Sequence, residues 1–222
     1  MRILLIHGLA RTPLSLLGLA QDLRRAGYRT ELLAYSGAFE SYPAIVDRVR
    51  RRLTVAAQER EPYAIVAHSL GGLVVRAALA QWPANWPAPR HLVMLGTPNQ
   101  PPRLARRFHR WSPYRLVNGQ CGQLLAQPTF FADLPRPEVP TTVIAGTKGW
   151  PRAFSLFGGA ANDGVVAVEE ARLDADAGLV EVRASHTFMM NNRQVRATVR
   201  ELLARAGAGA GLPGTVAERI VS

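Results

Sequence analysis

Residues 63–74 read Tyr-Ala-Ile-Val-Ala-His-Ser-Leu-Gly-Gly-Leu-Val, an apolar run that passes through a serine into a helical pattern. The small residues Ala67 and Gly71 stand two positions before and two positions after Ser69. A turn this tight between a strand and a helix needs such residues, because neighbouring backbones come into contact there. The stretch therefore predicts a serine exposed at the carboxyl end of a strand, beside the positive end of a helix dipole. The alternative is a glycine-rich connection with an incidental serine.

Short apolar runs alternate with helical patterns on both sides of this stretch. The predicted strands are residues 2–6, 28–34, 63–67, 91–95, 141–145 and 179–182. The predicted helices are residues 13–25, 43–60, 70–81 and 191–206. Such alternation predicts an α/β fold, with a mostly parallel central sheet, right-handed crossovers and helices on both faces.

The chain has 222 residues, of which 48% are hydrophobic and 19% charged, so it can bury a large core. We predict a single domain over residues 1–206 and a flexible, Gly/Ala-rich tail over residues 207–222. Residues 97–140 break the alternation and are rich in Pro, Arg and aromatic side chains. We interpret them as a short insertion above the sheet, carrying short helices and a candidate lid.

The formal net charge is +11, and of 27 basic residues only Lys148 is a lysine. The arginines are spread along the chain, without a zinc-finger, helix-turn-helix or RNA-binding signature. A composition bias on solvated helix faces is therefore favoured over nucleic-acid binding.

Other composition features exclude further classes of protein. Cys121 is the only cysteine, which excludes an internal disulfide framework and a Cys-rich metal cluster. No apolar run reaches the roughly 20 residues of a membrane-spanning helix. The first apolar stretch, Ile3 to Ile6, is too short for the core of a signal peptide, so a cytoplasmic location is expected.

Several short motifs resemble those of the α/β-hydrolase family, in particular its small bacterial lipases and lipase-like esterases. By element order the resemblance runs from Ile3 to about Arg205. The motifs that carry it are Ile6-His7-Gly8-Leu9, Ala67 to Gly72, Leu95-Gly96-Thr97-Pro98, Asn162 to Val166 and Ser185-His186. Ala67 replaces the usual first glycine of the serine motif, a variant that is itself seen among small lipases.

The resemblance implies a catalytic triad whose order along the chain is Ser, Asp or Glu, then His. Ser69 is the candidate nucleophile, and His186 is the only histidine late enough to be its base. Asp163 is the favoured acid, since it lies in a loop that enters an apolar segment; the alternative is a plain Asp-Gly turn. Asp133 is the runner-up, because some hydrolases carry the acid one strand earlier.

The resemblance also implies an oxyanion hole made of two backbone N–H groups. One belongs to Leu70, the residue after the serine, and the other to Leu9 in the loop after the first strand. His7 is then expected to orient that loop rather than to act as a base.

The implied function is hydrolysis of carboxylic esters by a serine esterase or lipase, without a metal or cofactor. The expected partner is a small-molecule or lipid-like ester; neither nucleic acid nor an obligate protein partner is expected. Phe108, Trp111 and Tyr114 are candidate substrate-binding residues, although they could equally form the insertion's own small core. Peripheral contact with an anionic membrane through residues 103–115 is weighed against a solvated helix, which is the commoner outcome for such a run.

Two rival functions stay open at this point. A lipase-like acyltransferase would use the same triad to pass the acyl group to another alcohol. A non-catalytic basic binding protein would keep the fold and exploit the positive charge, since fold alone does not establish function.

Overall fold

The computed structural model describes residues 1–80, 82–150, 156–175 and 177–208. Within these ranges six parallel strands form one sheet in the order β2-β1-β3-β4-β5-β6. The strands are β1 (Arg2–Ile6), β2 (Arg29–Leu33), β3 (Tyr63–His68), β4 (Leu92–Leu95), β5 (Thr141–Gly146) and β6 (Gly178–Val182). Each lies within one residue of its predicted bounds, which confirms the α/β fold class.

Helices connect the strands. They are α1 (Leu17–Arg25), α2 (Tyr42–Gln58), α3 (Leu70–Leu79), α4 (Arg103–Phe108), α5 (Ser112–Leu124), α6 (Pro128–Ala132), α7 (Val168–Ala171) and α8 (Arg193–Gly207). Two 3₁₀ helices, Pro13–Leu16 and His186–Asn191, precede α1 and α8. The single helix predicted over residues 13–25 is therefore divided between a 3₁₀ turn and α1. Helix α8 begins later than predicted, because the side chain of Asn192 caps it by accepting from Gln194 N and Val195 N.

Alternate residues of the strands enter two hydrophobic cores, one on each face of the sheet. In β1, Leu4 and Ile6 belong to the core under α2 and α3, whereas Ile3 and Leu5 belong to the core under α1 and α8. A sheet buried on both faces explains why its strands are continuous apolar runs in the sequence.

The insertion between β4 and β5 holds three short helices, α4, α5 and α6. Arg76 of α3 anchors this segment: its guanidinium donates to the carbonyl oxygens of Leu134 and Pro135, at 2.9 and 3.0 Å, and to Asn99 Oδ1 at 3.2 Å. The end of the insertion is thus tied to α3, the helix that follows Ser69.

Two further sequence predictions concern the ends of helices and of the chain. In the described ranges, no helix combines the length and the apolar character that crossing a membrane requires. The predicted tail starts at Gly207, which is the last residue of α8, and residues 209–222 lie outside the described residues.

Candidate active site

Ser69 lies between β3 and α3 on a turn with an unusual backbone conformation. Its φ of 52° and ψ of −123° fall where L-residues are strained. The turn is held at both ends, since Ser69 N donates to Leu95 O at 2.9 Å and Thr97 Oγ1 donates to Ser69 O at 3.1 Å. Ser69 thus stands at the carboxyl edge of the sheet, directly before the first residue of α3.

Only small residues fit beside this turn. A Cβ atom on Gly71 would lie 2.6 Å from His7 O, and one on Gly8 would lie 2.9 Å from the Cβ of Ser69. The end of β1 and the start of α3 are therefore in close contact around the serine.

The structure brings Ser69, His186 and Asp163 together in one hydrogen-bonded chain. His186 Nε2 lies 3.0 Å from Ser69 Oγ, and His186 Nδ1 lies 2.7 Å from Asp163 Oδ2. All three residues are buried. Because an ionised carboxylate can only accept, the ring proton sits on Nδ1, and Nε2 accepts from the serine hydroxyl.

The loop after β5 fixes the orientation of the Asp163 carboxylate. Its Oδ1 accepts from Val165 N at 2.9 Å and from Val166 N at 2.7 Å, which leaves Oδ2 to face the imidazole. Asn162 shapes the same loop, because its Oδ1 accepts from Gly164 N at 3.0 Å.

The loops that carry the acid and the base are also joined to each other. His186 N donates to Asp163 O at 2.9 Å, so backbone and side chain both link the two residues. Gly96, at the end of β4, lies against this pair: a Cβ atom there would be 3.1 Å from both Asp163 Oδ2 and His186 Nδ1.

His68 precedes the serine in sequence, and its ring lies beside that of His186. Its Nε2 donates to His186 O at 3.0 Å, and its ring centroid lies 4.9 Å from that of His186. Burial, and then the proximity of His186, hold the pKa of His68 well below its usual value. His68 is therefore neutral and supports the His186 loop through a backbone contact.

The loop after β1 lies next to Ser69 and carries Leu9. His7 Nδ1 donates to Gly8 O at 2.9 Å, and the His7 ring stacks on Tyr35 with centroids 4.1 Å apart. Burial lowers the pKa of His7, which keeps the ring neutral. These contacts agree with an orienting position for His7 in the loop.

The N–H groups of Leu9 and Leu70 have no backbone acceptor among the described residues. Leu70 is the first residue of α3, so no carbonyl within the helix can accept from it. In the described part of the chain, no backbone acceptor pairs with Leu9 N. A Cβ atom on Gly37 would lie 2.8 Å from Leu9 Cδ1 and 3.5 Å from Leu70 Cδ2, so both side chains pack around that glycine.

Two other predicted features can be located. Asp133 is an exposed residue at the end of α6, whereas the carboxylate on the His186 ring belongs to Asp163. Across the described ranges, no group of three or more His, Cys, Asp or Glu side chains could hold a metal ion.

The similarity of this chain to known proteins is found in its three-dimensional structure. A scan against protein-family models finds no match, and neither does a search of the curated proteins. The mature form of a lipase from Bacillus licheniformis superimposes with a TM-score of 0.75 at 18% identity, over 91% of each chain. A thermophilic esterase from Thermogutta terrifontis gives a TM-score of 0.59 at 16% identity, over 93% of this chain and 90% of the other.

A third solved structure of similar fold is that of an α/β-hydrolase. An extracellular α/β-hydrolase from a Paenibacillus species has a TM-score of 0.62 at 12% identity, over 93% of this chain and 98% of the other. The protein has the α/β-hydrolase fold. At such low identity the likeness extends to the fold alone.

The α/β-hydrolase fold accounts for how the site is assembled. The serine follows β3, the aspartate follows β5 and the histidine follows β6, so three carboxyl ends of parallel strands meet at one edge of the sheet. Residues 69, 163 and 186 are distant in sequence and become neighbours only through this topology.

The predicted substrate-binding aromatics lie in the insertion of the α/β-hydrolase fold. Trp111 is 60% exposed and packs against Phe108, with ring centroids 6.1 Å apart. Tyr114 is half-buried, packs on the core under α2 and α3, and donates to Gly122 O at 3.3 Å. These contacts lie within the insertion and the core, and substrate binding by the three residues stays a prediction.

Some residues that shape the site had no role in the sequence prediction. Tyr35 donates its hydroxyl to His7 O, Thr97 donates to Ser69 O, and Asn162 organises the Asp163 loop. Thr97 and Asn162 lie inside the motifs that carried the family resemblance, which was the only available signal for them. No motif in the sequence indicates a role for Tyr35, because its hydroxyl donates to the backbone carbonyl of His7, 28 residues earlier in the chain.

Proposed function

We propose that the protein is a serine hydrolase that cleaves carboxylic esters, with Ser69 as nucleophile, His186 as general base and Asp163 as the acid. The observation that carries the proposal is the unbroken chain from Ser69 Oγ through both ring nitrogens of His186 to Asp163 Oδ2, with distances of 3.0 and 2.7 Å. This is the connectivity that activates a serine hydroxyl for acyl transfer.

In the first step, Ser69 Oγ attacks the ester carbonyl carbon while its proton passes to His186 Nε2. The imidazole becomes a cation, and the Asp163 carboxylate stabilises it through the bond to Nδ1. Because Val165 N and Val166 N occupy the other carboxylate oxygen, Asp163 needs no reorientation during this transfer.

The carbonyl oxygen becomes an oxyanion in the tetrahedral intermediate. We assign its stabilisation to the N–H groups of Leu9 and Leu70. The contact between Gly8 and Ser69 supports this assignment, since it brings the loop of Leu9 beside the attacking oxygen. Removal of one such donor typically costs about 10²- to 10³-fold in kcat.

Collapse of the intermediate breaks the ester bond. The leaving alcohol takes the proton from His186 Nε2, and the acyl group remains on Ser69 Oγ. A water molecule then gives a proton to the same nitrogen and attacks the acyl carbon. As the bond from the acyl carbon to Ser69 Oγ breaks, His186 Nε2 returns that proton to Oγ, which releases the acid and restores the serine hydroxyl.

The proposed substrate class is supported by the solved structures of similar fold and by the exposed surface around the site. The solved structures of similar fold include a lipase and an esterase, and apolar side chains such as Phe188 and Val165 are exposed beside His186 and Asp163. An uncharged acyl ester, soluble or lipid-like, fits these surroundings.

The experiment is covalent labelling with a fluorophosphonate probe together with hydrolysis of p-nitrophenyl butyrate. We expect stoichiometric labelling at Ser69, and loss of both labelling and turnover by about 10⁴-fold or more in the variants Ser69→Ala and His186→Ala. Ser112→Ala is the matched control, since Ser112 is exposed at the start of α5.

Circular dichroism and urea unfolding establish that each variant is folded. A folded Ser69→Ala variant with turnover near that of the unmodified protein would contradict the proposal. So would labelling at a serine other than Ser69.

A further inference from the structure

Most of the exposed large apolar side chains lie in segments that follow the carboxyl end of a strand. Ten large hydrophobic residues are exposed in the described ranges, and all except Val55 lie in the loops, 3₁₀ helices or insertion helices that follow such a strand end. They are Leu14, Phe39, Trp111, Leu116, Val117, Trp150, Leu156, Val165 and Phe188. Because all six strands are parallel, these segments leave the same edge of the sheet, which is the edge that carries Ser69.

The first part of the insertion, residues 97–132, adds positive charge to this edge and contains no acidic residue. No Asp or Glu occurs between Glu61 and Asp133. Four arginines of the insertion are exposed and form no ion pair with a described residue: Arg106, Arg107, Arg110 and Arg115. The charged side chains of α4 and α5 are therefore all positive.

The charged and apolar groups lie on α4, α5 and the connection between them. Trp111 packs against Phe108 at the end of α4, and Gln123 Nε2 donates to His109 O, which joins the α4–α5 connection to α5. We call this the insertion surface: the four arginines above together with Trp111, Leu116, Val117 and the neighbouring Phe39.

The insertion surface adjoins the site. A Cβ atom on Gly119 would overlap the carbonyl oxygen of Ala38, so α5 rests directly on the loop after β2. That loop in turn packs on Leu9 and Leu70 through Gly37. Contact with a flat surface at α5 would therefore bring that surface close to the proposed oxyanion hole.

We propose that the insertion surface docks on anionic phospholipid, with Trp111, Leu116 and Val117 entering the headgroup region and the arginines binding lipid phosphates. Arginines around exposed apolar side chains match an anionic interface, which takes up both kinds of group. The backbone of a nucleic acid would pair with the arginines but would leave Leu116 and Val117 in water. The inference rests on the proposed function in that it names the surface on which the esterase would meet a lipid-like ester.

The test is co-sedimentation of the Ser69→Ala protein with vesicles, so that lipid is bound but not hydrolysed. Vesicles of phosphatidylcholine alone are compared with vesicles of equal parts phosphatidylglycerol and phosphatidylcholine. The salt concentrations are about 0.05 M and about 0.5 M NaCl, between which the Debye length falls about three-fold. We expect binding to the anionic vesicles that weakens at least about ten-fold at the higher salt.

A charge-matched pair of variants locates the docking surface. One carries Arg106→Gln, Arg107→Gln, Arg110→Gln and Arg115→Gln. The other carries Arg24→Gln, Arg25→Gln, Arg51→Gln and Arg90→Gln, four exposed arginines away from the insertion. Each basic residue near an anionic leaflet contributes about a five-fold factor, so the first variant should lose binding by more than about 100-fold and the second by far less.

A second pair isolates the apolar contribution. Leu116→Ser with Val117→Ser should weaken vesicle binding at the higher salt, whereas Val55→Ser on α2 should leave it unchanged. All three residues are at least 40% exposed, so these changes spare the core.

Three outcomes would overturn the inference: equal binding to both kinds of vesicle, equal loss in the two quadruple variants, or binding of a DNA duplex through the same arginines without vesicle binding. Because the protein used lacks the nucleophile, none of them depends on whether Ser69 is catalytic. Failure of docking and failure of the proposed hydrolysis are thus distinguishable.

Discussion

At the scale of single residues, the site depends on how the hydrogen bonds of one carboxylate are divided. Asp163 gives one oxygen to two backbone N–H groups and the other to the His186 ring. This division fixes the ring tautomer, and therefore determines whether Nε2 can accept the serine proton.

Asp163→Asn should separate the tautomer from the geometry. Its side-chain oxygen can still accept from Val165 N and Val166 N, so the amide group would face His186 Nδ1 and force the ring proton onto Nε2. We expect kcat for p-nitrophenyl butyrate to fall by about 10³- to 10⁴-fold with little change in stability. Asp133→Asn is the control, and an equal effect of the two substitutions would argue for a different acid.

The positive φ of Ser69 has an energetic consequence. A non-glycine residue in this region carries about 1 to 3 kcal/mol of strain, which glycine avoids, although glycine also gains about 0.5 to 1 kcal/mol of freedom in the unfolded chain. We expect Ser69→Gly to be more stable than Ser69→Ala by about 1 kcal/mol in urea unfolding. A glycine variant less stable than the alanine variant would show that the turn is unstrained.

At the scale of elements, the site is made of strand ends and the loops that follow them. The loop after β1 must approach Ser69 closely to present Leu9 N, and only glycine at position 8 permits the approach. The geometry of the proposed oxyanion hole is thus set by packing between two elements rather than by a side chain of its own.

Gly8→Ala tests this packing. The added methyl group would lie 2.9 Å from His68 Nδ1 and from Ser69 Cβ, both of which are held in place, so the loop has to shift. We expect kcat to fall by roughly ten-fold or more while KM changes little, because the displaced donor acts mainly on the transition state. Gly207→Ala, where the nearest atom would be 3.9 Å away, should have no effect on either constant.

The elements also show what the sequence could and could not predict. The six strands were predicted within one residue because strands buried on both faces are apolar throughout, as in β1 and β3. Ser69 was predicted from the small residues around it. Asp163 and His186 were predicted from the order in which triad residues occur along the chain of α/β-hydrolases. The hydrogen bonds from Tyr35 and Thr97 to backbone carbonyls could not be predicted, because they join residues whose proximity exists only after the sheet has formed.

At the scale of the whole molecule, several histidines are buried in the neutral form. Burial lowers the pKa values of His7 and His68, and lowers that of His91 to about 4. The unfolded chain binds protons at these positions below about pH 6.5, whereas the folded protein does not. Their contribution to the free energy of unfolding is therefore retained above pH 6.5 and lost as the pH falls towards 4.

His91 permits a quantitative test of this acid sensitivity. It is 1% exposed, and its Nε2 lies 3.0 Å from Thr142 Oγ1, a contact that glutamine at position 91 can reproduce. Between pH 7.5 and pH 5, we expect the unmodified protein to lose about 2 kcal/mol more unfolding free energy than His91→Gln. Parallel curves of free energy against pH for the two proteins would contradict the assignment.

The exposed arginines of α4, α5 and their connection also determine where a protease should cut. Trypsin cleaves after arginine, and Arg106, Arg107, Arg110 and Arg115 lie exposed on short helices and their connection. Short helices with few buried residues open locally at a low cost in free energy. The first tryptic cuts should therefore fall between residues 106 and 116, and a bound vesicle would shield the peptide bonds of the surface on which it sits.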